Sequence, residues 1–156
     1  ECDANSKRIA FVGHSLGAVV ISLFVEKLKI SVKTLVFWSQ AFNQKELIKI
    51  WFTKKDLKEI KKKGVLIKGE KEIGKKEYWE NKGKDYSTIF SKLKIPILLI
   101  HGRKDKDVPV KFSKDLAKRY KNINLKILPR TNHKFDDYFS QEKLIEITID
   151  WLKKFL

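Results

Sequence analysis

The amino-acid sequence predicts an α/β fold, a mostly parallel sheet flanked by helices, and three observations carry that expectation. Short apolar runs alternate along the chain with stretches in which apolar residues recur every three to four positions. The intervening stretches are long enough to cross back over a sheet, which makes neighbouring strands parallel and the crossovers right-handed. The 156 residues, 42% hydrophobic and 35% charged, suffice for one domain with a core of its own.

Arg8–Val12 has the pattern of a buried strand ending at Gly13. From Leu16 to Lys29, the residues Leu16, Val19, Val20, Leu23, Phe24 and Leu28 are spaced as on a helix. Thr34–Trp38 is a second β-rich run, and Pro96 precedes Ile97–Ile100, the most apolar strand candidate. Lys111–Tyr120 reads as a helix with Phe112, Leu116 and Tyr120 on one side. Asn124–Leu128 reads as a strand stopped by Pro129, and Gln141–Phe155 as a closing amphipathic helix. Four core strands result. Residues 43–94 differ: a lysine-rich helical stretch, Gln44–Lys63, is followed by a strand between Gly64 and Gly69 and a helical Tyr86–Leu93. Their simplest placement is a small cap or lid insertion within a single domain 1–156.

The formal charge is +16, yet only Arg8, Arg103, Arg119 and Arg130 are arginines, and the lysines are spread evenly. Such a field raises nonspecific affinity for polyanions. Without clustered arginine forks it predicts no specific nucleic-acid partner. No apolar run approaches the roughly 18 residues of a membrane span. Cys2 has no second cysteine to pair with, and no Cys/His cluster has metal spacing, so neither disulfide nor metal is expected and a reducing, cytoplasmic setting fits. The chain has no methionine and opens on Glu1. A processed product or a piece of a longer one is therefore expected.

Gly13-His14-Ser15-Leu16-Gly17 forms a G-x-S-x-G pattern with a strand before it and a helix after it. A strand turning this sharply strains its middle residue, and small residues at 13 and 17 allow neighbouring backbone to approach. The turn lifts the Ser15 hydroxyl clear and sets it beside the free N–H groups that open the helix. The simpler alternative is a serine acting as a helix N-cap.

A nucleophilic serine needs an imidazole base and a carboxylate to orient it. His14 lies inside the motif and is read as a neighbour of the nucleophile. His101 ends an apolar strand and is read as structural. His133 follows a strand in Pro129–His133, at the edge where loops of a parallel sheet gather, and is the base by elimination and position. Asp105 and Asp107, after Gly102, both remain candidates for the carboxylate, with Asp136 and Asp137 less well placed.

The elbow, the stretch His101-Gly102-Arg103-Lys104-Asp105-Lys106-Asp107-Val108-Pro109 and the Asn132-His133 loop resemble the α/β-hydrolase superfamily. They look most like its serine esterases and acyl hydrolases of the feruloyl-esterase-like or dienelactone-hydrolase-like branches. The resemblance runs from Arg8 to Leu156 and is weak in the insertion. It favours Asp105 over Asp107 and implies Ser15, Asp105 and His133 as a catalytic triad, in the chain order of that superfamily. It implies cleavage of a small-molecule carboxylic ester through an acyl-enzyme, with no cofactor, and Leu16 N–H as an oxyanion donor. His14 and the insertion's Trp51, Trp79 and Tyr86 are the expected substrate contacts, the simpler alternative for the three aromatic residues being that they staple the insertion to the sheet. The sequence departs from the superfamily in starting about one strand before the elbow, where several strands and an oxyanion loop would precede it. The alternative expectation is therefore a truncated, non-catalytic remnant serving as a binding or interaction domain.

Overall fold

The computed structural model describes residues 8–68, 71–76, 80 and 83–156. In chain order the elements are β1 (Ala10–His14), α1 (Leu16–Leu28), β2 (Thr34–Trp38), α2 (Gln44–Trp51), α3 (Lys54–Lys63), β3 (Val65–Lys68) and β4 (Lys71–Gly74). A 3-10 helix over Tyr86–Ser91, β5 (Ile97–Gly102), α4 (Lys111–Arg119), β6 (Ile123–Leu128) and α5 (Tyr138–Phe155) follow. They form two compact units, Asn43–Tyr86 and the remainder of the chain.

In the larger unit four parallel strands lie in the order β1-β2-β5-β6. Strands buried on both faces cannot alternate polar with apolar, which is why β5 reads as an unbroken apolar run. Val36, Leu98, Ile100 and Leu128 share one core cluster with Phe135 and Leu144, and Trp151 and Leu152 of α5 pack against it. The bulky indoles there find polar partners. Trp38 Nε1 donates to Thr148 Oγ1 at 3.1 Å, and Trp151 Nε1 to Thr34 Oγ1 at 2.7 Å. Elsewhere in the unit the Phe90 ring packs at a tilt against Phe42, centroids 4.6 Å apart, and Tyr120, 5.8 Å apart. That aromatic packing ties Ser87–Ser91 to the sheet unit, whereas the sequence had grouped all of 43–94 together.

The strand registers bring His14 beside Trp38, Trp38 beside Ile100, and Gly102 beside Leu128. The loops after β1, β2, β5 and β6 therefore open at one edge of the sheet. Two strands run further than their apolar residues suggested: β1 continues through Gly13 to His14, and β5 through His101 to Gly102, because their backbones stay paired. Helix α5 begins at Tyr138, three residues early, because the Asp137 carboxylate accepts the Ser140 N–H at 2.9 Å.

Helix α1 departs most from expectation. Ala18, Val19, Ser22 and Val25 are buried, whereas Leu16, Val20, Leu23, Phe24 and Leu28 are 40–60% exposed. Most of its larger apolar side chains thus face outward, and β1 is an edge strand among the described residues.

In the smaller unit the helical stretch Gln44–Lys63 is broken at Phe52 and Thr53. Thr53 and Asp56 exchange side-chain and backbone bonds in a capping box that starts α3. Ile48, Ile60 and Leu66 form its core with Phe52, Leu57 and Ile73, and β3 and β4 are an antiparallel hairpin. Among the described residues no helix is long and apolar enough to cross a membrane.

Candidate active site

Ser15 sits between β1 and α1 with φ 53° and ψ −119°. A positive φ is costly for a residue with a Cβ, on the order of 1–3 kcal/mol, and persists only where the surroundings enforce it. They do. The Ser15 N–H donates to Trp38 O at 2.8 Å, and Ser15 O accepts from Ala41 N at 3.2 Å and Ala18 N at 3.3 Å. A Cβ at Gly13 would lie 2.7 Å from Ile21 Cδ1 and 3.0 Å from Ala18 N, so the close approach expected at this glycine is present. At Gly17 it is not: a Cβ there would meet nothing within 4 Å. Nor does the Ser15 hydroxyl cap the helix.

That hydroxyl lies instead 3.1 Å from His133 Nε2. On the other side of the ring, His133 Nδ1 lies 2.8 Å from Asp105 Oδ2. The carboxylate accepts only, so Nδ1 carries the proton and Nε2 is left with a lone pair facing Ser15. Asp105 is itself held by the turn after β5: its Oδ1 accepts the Asp107 N–H at 3.0 Å and the Val108 N–H at 2.7 Å. Asp107 thus enters through its backbone. Asp136 accepts from Asn132 Nδ2 at 2.6 Å, and Asp137 caps α5. Asp105, Asp107 and His133 bring ligand-type atoms within 4.8 Å of one another, but two of the three are already bonded together.

The two loops meet because Gly102 has no side chain. A Cβ there would collide with the Thr131 carbonyl and lie 2.7 Å from Asn132 O. Lys104 N–H then donates to Thr131 O at 2.9 Å, and Arg103 N–H to Leu128 O at 2.8 Å. Phe135, at φ 54°, is buried in the core cluster and anchors the far side of the histidine loop.

Burial alone would push the Asp105 carboxyl up. The donors from His101, His133 and Val108 outweigh it and hold the group well below the usual carboxylate range, so it is an anion at neutral pH. His14 Nε2 donates to the His133 carbonyl at 2.9 Å, and its ring lies 4.9 Å from that of His133. Partial burial lowers the His14 pKa, which favours the neutral ring beside a second imidazole. Leu16 is the first residue of α1, where backbone N–H groups have no acceptor within the helix, and its side chain is 52% exposed. The arrangement has the parts for transferring a hydroxyl proton to an imidazole and stabilising the cation that forms.

Trp51 ends α2 and is half-buried, and Tyr86 has Lys84 Nζ 6.0 Å from its ring, both in the smaller unit. Trp79 lies outside the described residues. The sequence reading gave no role at the site to the segment Trp38–Ala41, which grips Ser15 from both sides through its backbone. Its one local anomaly, the positive φ of buried Ser39 at 42°, has no signature in residue type.

A model of the prolyl oligopeptidase family matches residues 2–156. Among solved structures, α/β hydrolase domain-containing protein 10 from mouse is similar, with a TM-score of 0.74 and 19% identity over 98% of this chain and 65% of that one. Est1E from Butyrivibrio proteoclasticus is similar with a TM-score of 0.70 and 23% identity over 92% of this chain and 58% of that one. The esterase EaEST from Exiguobacterium antarcticum gives a TM-score of 0.67 and 17% identity over 94% and 67%. At such identities the likeness establishes the α/β-hydrolase fold. The chain spans less than two thirds of the length of the first two. No curated protein matches the sequence.

Proposed function

The chain belongs to the prolyl oligopeptidase family, and on that premise we propose that it is a serine hydrolase acting on carboxylic esters, with Ser15, His133 and Asp105 as its triad. The observation that supports this most is the continuous pair of contacts, Ser15 Oγ to His133 Nε2 at 3.1 Å and His133 Nδ1 to Asp105 Oδ2 at 2.8 Å. Ser15 Oγ attacks the acyl carbon as its proton passes to His133 Nε2. Asp105 keeps the ring in the required tautomer and stabilises the imidazolium. Leu16 N–H meets the oxyanion. His133 returns the proton to the departing alcohol as the ester C–O bond breaks, leaving an acyl group on Ser15. Water, deprotonated by the same imidazole, then releases the acid. Every proton and electron pair is accounted for by these groups and the substrate.

An aromatic acyl group is the first substrate class to test. Est1E, similar in fold, has been solved with ferulic acid bound, and Trp51, Trp79 and Tyr86 are proposed to bear on acyl choice together with His14. Alanine at Trp51 or Tyr86 then raises KM more than it lowers kcat. The family's name favours a second reading, cleavage of a peptide amide, in which the same steps expel an amine.

A fluorophosphonate probe and a chromogenic aryl ester, offered beside the matching anilide, test both readings. Labelling at Ser15, lost in Ser15→Ala, together with ester turnover supports the esterase; preferential turnover of the anilide supports the amide reading. No labelling of the chain, alone or extended at its N-terminus, overturns both and leaves a binding domain built on the hydrolase fold.

A further inference from the structure

Behind Asp105 lies a buried polar chain that the proposed reaction does not use. His101, at the end of β5, is fully buried. Its Nε2 is 2.8 Å from Val108 O and 3.1 Å from Asp105 Oδ2, and its Nδ1 is 2.7 Å from Ser113 Oγ on α4. Ser113, also fully buried, is 2.9 Å from Gln40 Nε2, and Gln40 Oε1 takes the Phe42 N–H at 3.2 Å.

With the ring neutral, these contacts leave one consistent assignment of hydrogens. The Phe42 N–H needs an acceptor, which fixes the Gln40 amide with its NH2 toward Ser113. Ser113 Oγ therefore accepts a hydrogen bond from Gln40 and donates one to His101 Nδ1. Both groups at Nε2, a carbonyl and a carboxylate, only accept, so Nε2 carries the ring proton. That N–H donates to Val108 O at 2.8 Å, and Asp105 Oδ2, which accepts from His133, lies 3.1 Å from the same nitrogen.

We propose that His101 is a positioning residue for the Asp105–His133 pair, with its tautomer set by Ser113 and Gln40, so that the segment gripping Ser15 also governs the carboxylate at the other end of the triad. This rests on the reading of Ser15, His133 and Asp105 given above. The His101 N–H, 3.1 Å from Asp105 Oδ2, offsets part of the carboxylate's charge. Without it, more of that charge is felt at His133, the imidazolium is favoured, and the ring is protonated at a higher pH. His133 also faces His14 and Asp107, neither of which is altered in the test.

Two measurements on the whole chain decide this. In 15N-histidine NMR of the wild type at neutral pH, His101 shows a protonated Nε2 and an unprotonated Nδ1; the opposite tautomer overturns the proposal whether or not any variant folds. In the second, the protonation of His133 is followed by NMR and by the acid limb of kcat/KM in His101→Leu and His101→Gln. Leucine removes the donor and moves both upward by roughly half a pH unit, with kcat reduced about tenfold and KM nearly unchanged. Glutamine retains a side-chain N–H and returns the limb most of the way to the wild-type position. A limb that stays fixed in His101→Leu while only the amplitude falls assigns the ring to stability alone and overturns the proposal. If Ser15 resists the fluorophosphonate probe while the tautomer and the His133 shift are as expected, the catalytic reading fails and the positioning stands.

Discussion

The turn that carries Ser15 and the loops that carry Asp105 and His133 are held by different means. The turn is a backbone construction. Ser15 is fixed through its own N–H and C=O, and Gly13 makes room for Ile21 and Ala18. The loops are held through a carboxylate that collects donors, with Gly102 letting one loop pass against the other. A backbone construction tolerates changes of side chain and fails when a Cβ is added in the wrong place. A carboxylate-centred one fails when a charge or a single donor is lost.

The largest effect should come from the carboxylate. Asp105→Asn offers His133 an amide in place of an acceptor-only group and lowers kcat by about 10⁴-fold. Asp107→Asn keeps the backbone N–H that Asp105 Oδ1 accepts, so its loss of kcat should be much the smaller of the two; an equal loss in both would break the distinction between them. The pH dependence follows from the depressed Asp105 carboxyl. Its stabilising contribution is fully present above the ordinary 3.8 and is lost as the pH falls below that value. A plot of Tm against pH should show the wild-type advantage over Asp105→Asn shrinking only in that acid range.

Next in size is Gly102→Ala, where the obstruction is backbone and cannot rotate away. A loss of about 3 kcal/mol in urea unfolding is expected, with activity falling further because the histidine loop is displaced. Gly13→Ala meets a movable Ile21 side chain as well as a backbone nitrogen, and about 1–2 kcal/mol is expected by the same measurement. Gly17→Ala is the smallest and opposite in sign. In a helix with open space around it, alanine should stabilise by about 0.5–1 kcal/mol and raise Tm slightly. Destabilisation at Gly17 would mean that the turn needs both glycines.

Much of this was legible in the sequence because it is local. The run before Gly13, the helical spacing after Ser15 and the short apolar strands each depend on neighbours in the chain. Asp105 and Asp107 could not be separated by spacing alone, since both follow Gly102 closely; what separates them is which one turns its carboxylate inward and which supplies an N–H. Gln40 and Ser113 were invisible for another reason. They are 73 positions apart and of common polar types, and only the folded sheet brings them together. The helix of Gln44–Lys63 was read as one piece although Thr53 and Asp56 carry a readable capping box. Apolar periodicity located α1 correctly, but it could not say which apolar face is covered, because the helix has two.

The outward apolar face of α1 should make the protein's self-association depend on ionic strength. Leu16, Val20, Leu23, Phe24 and Leu28 present greasy side chains to water on a molecule with 35 basic and 19 acidic residues. In dilute buffer mutual repulsion reaches about 30 Å and keeps such faces from meeting, whereas in molar salt it extends only about 3 Å. Adding sodium chloride should therefore increase light scattering, and a phenyl-Sepharose column run at high salt should retain the protein until the salt is withdrawn.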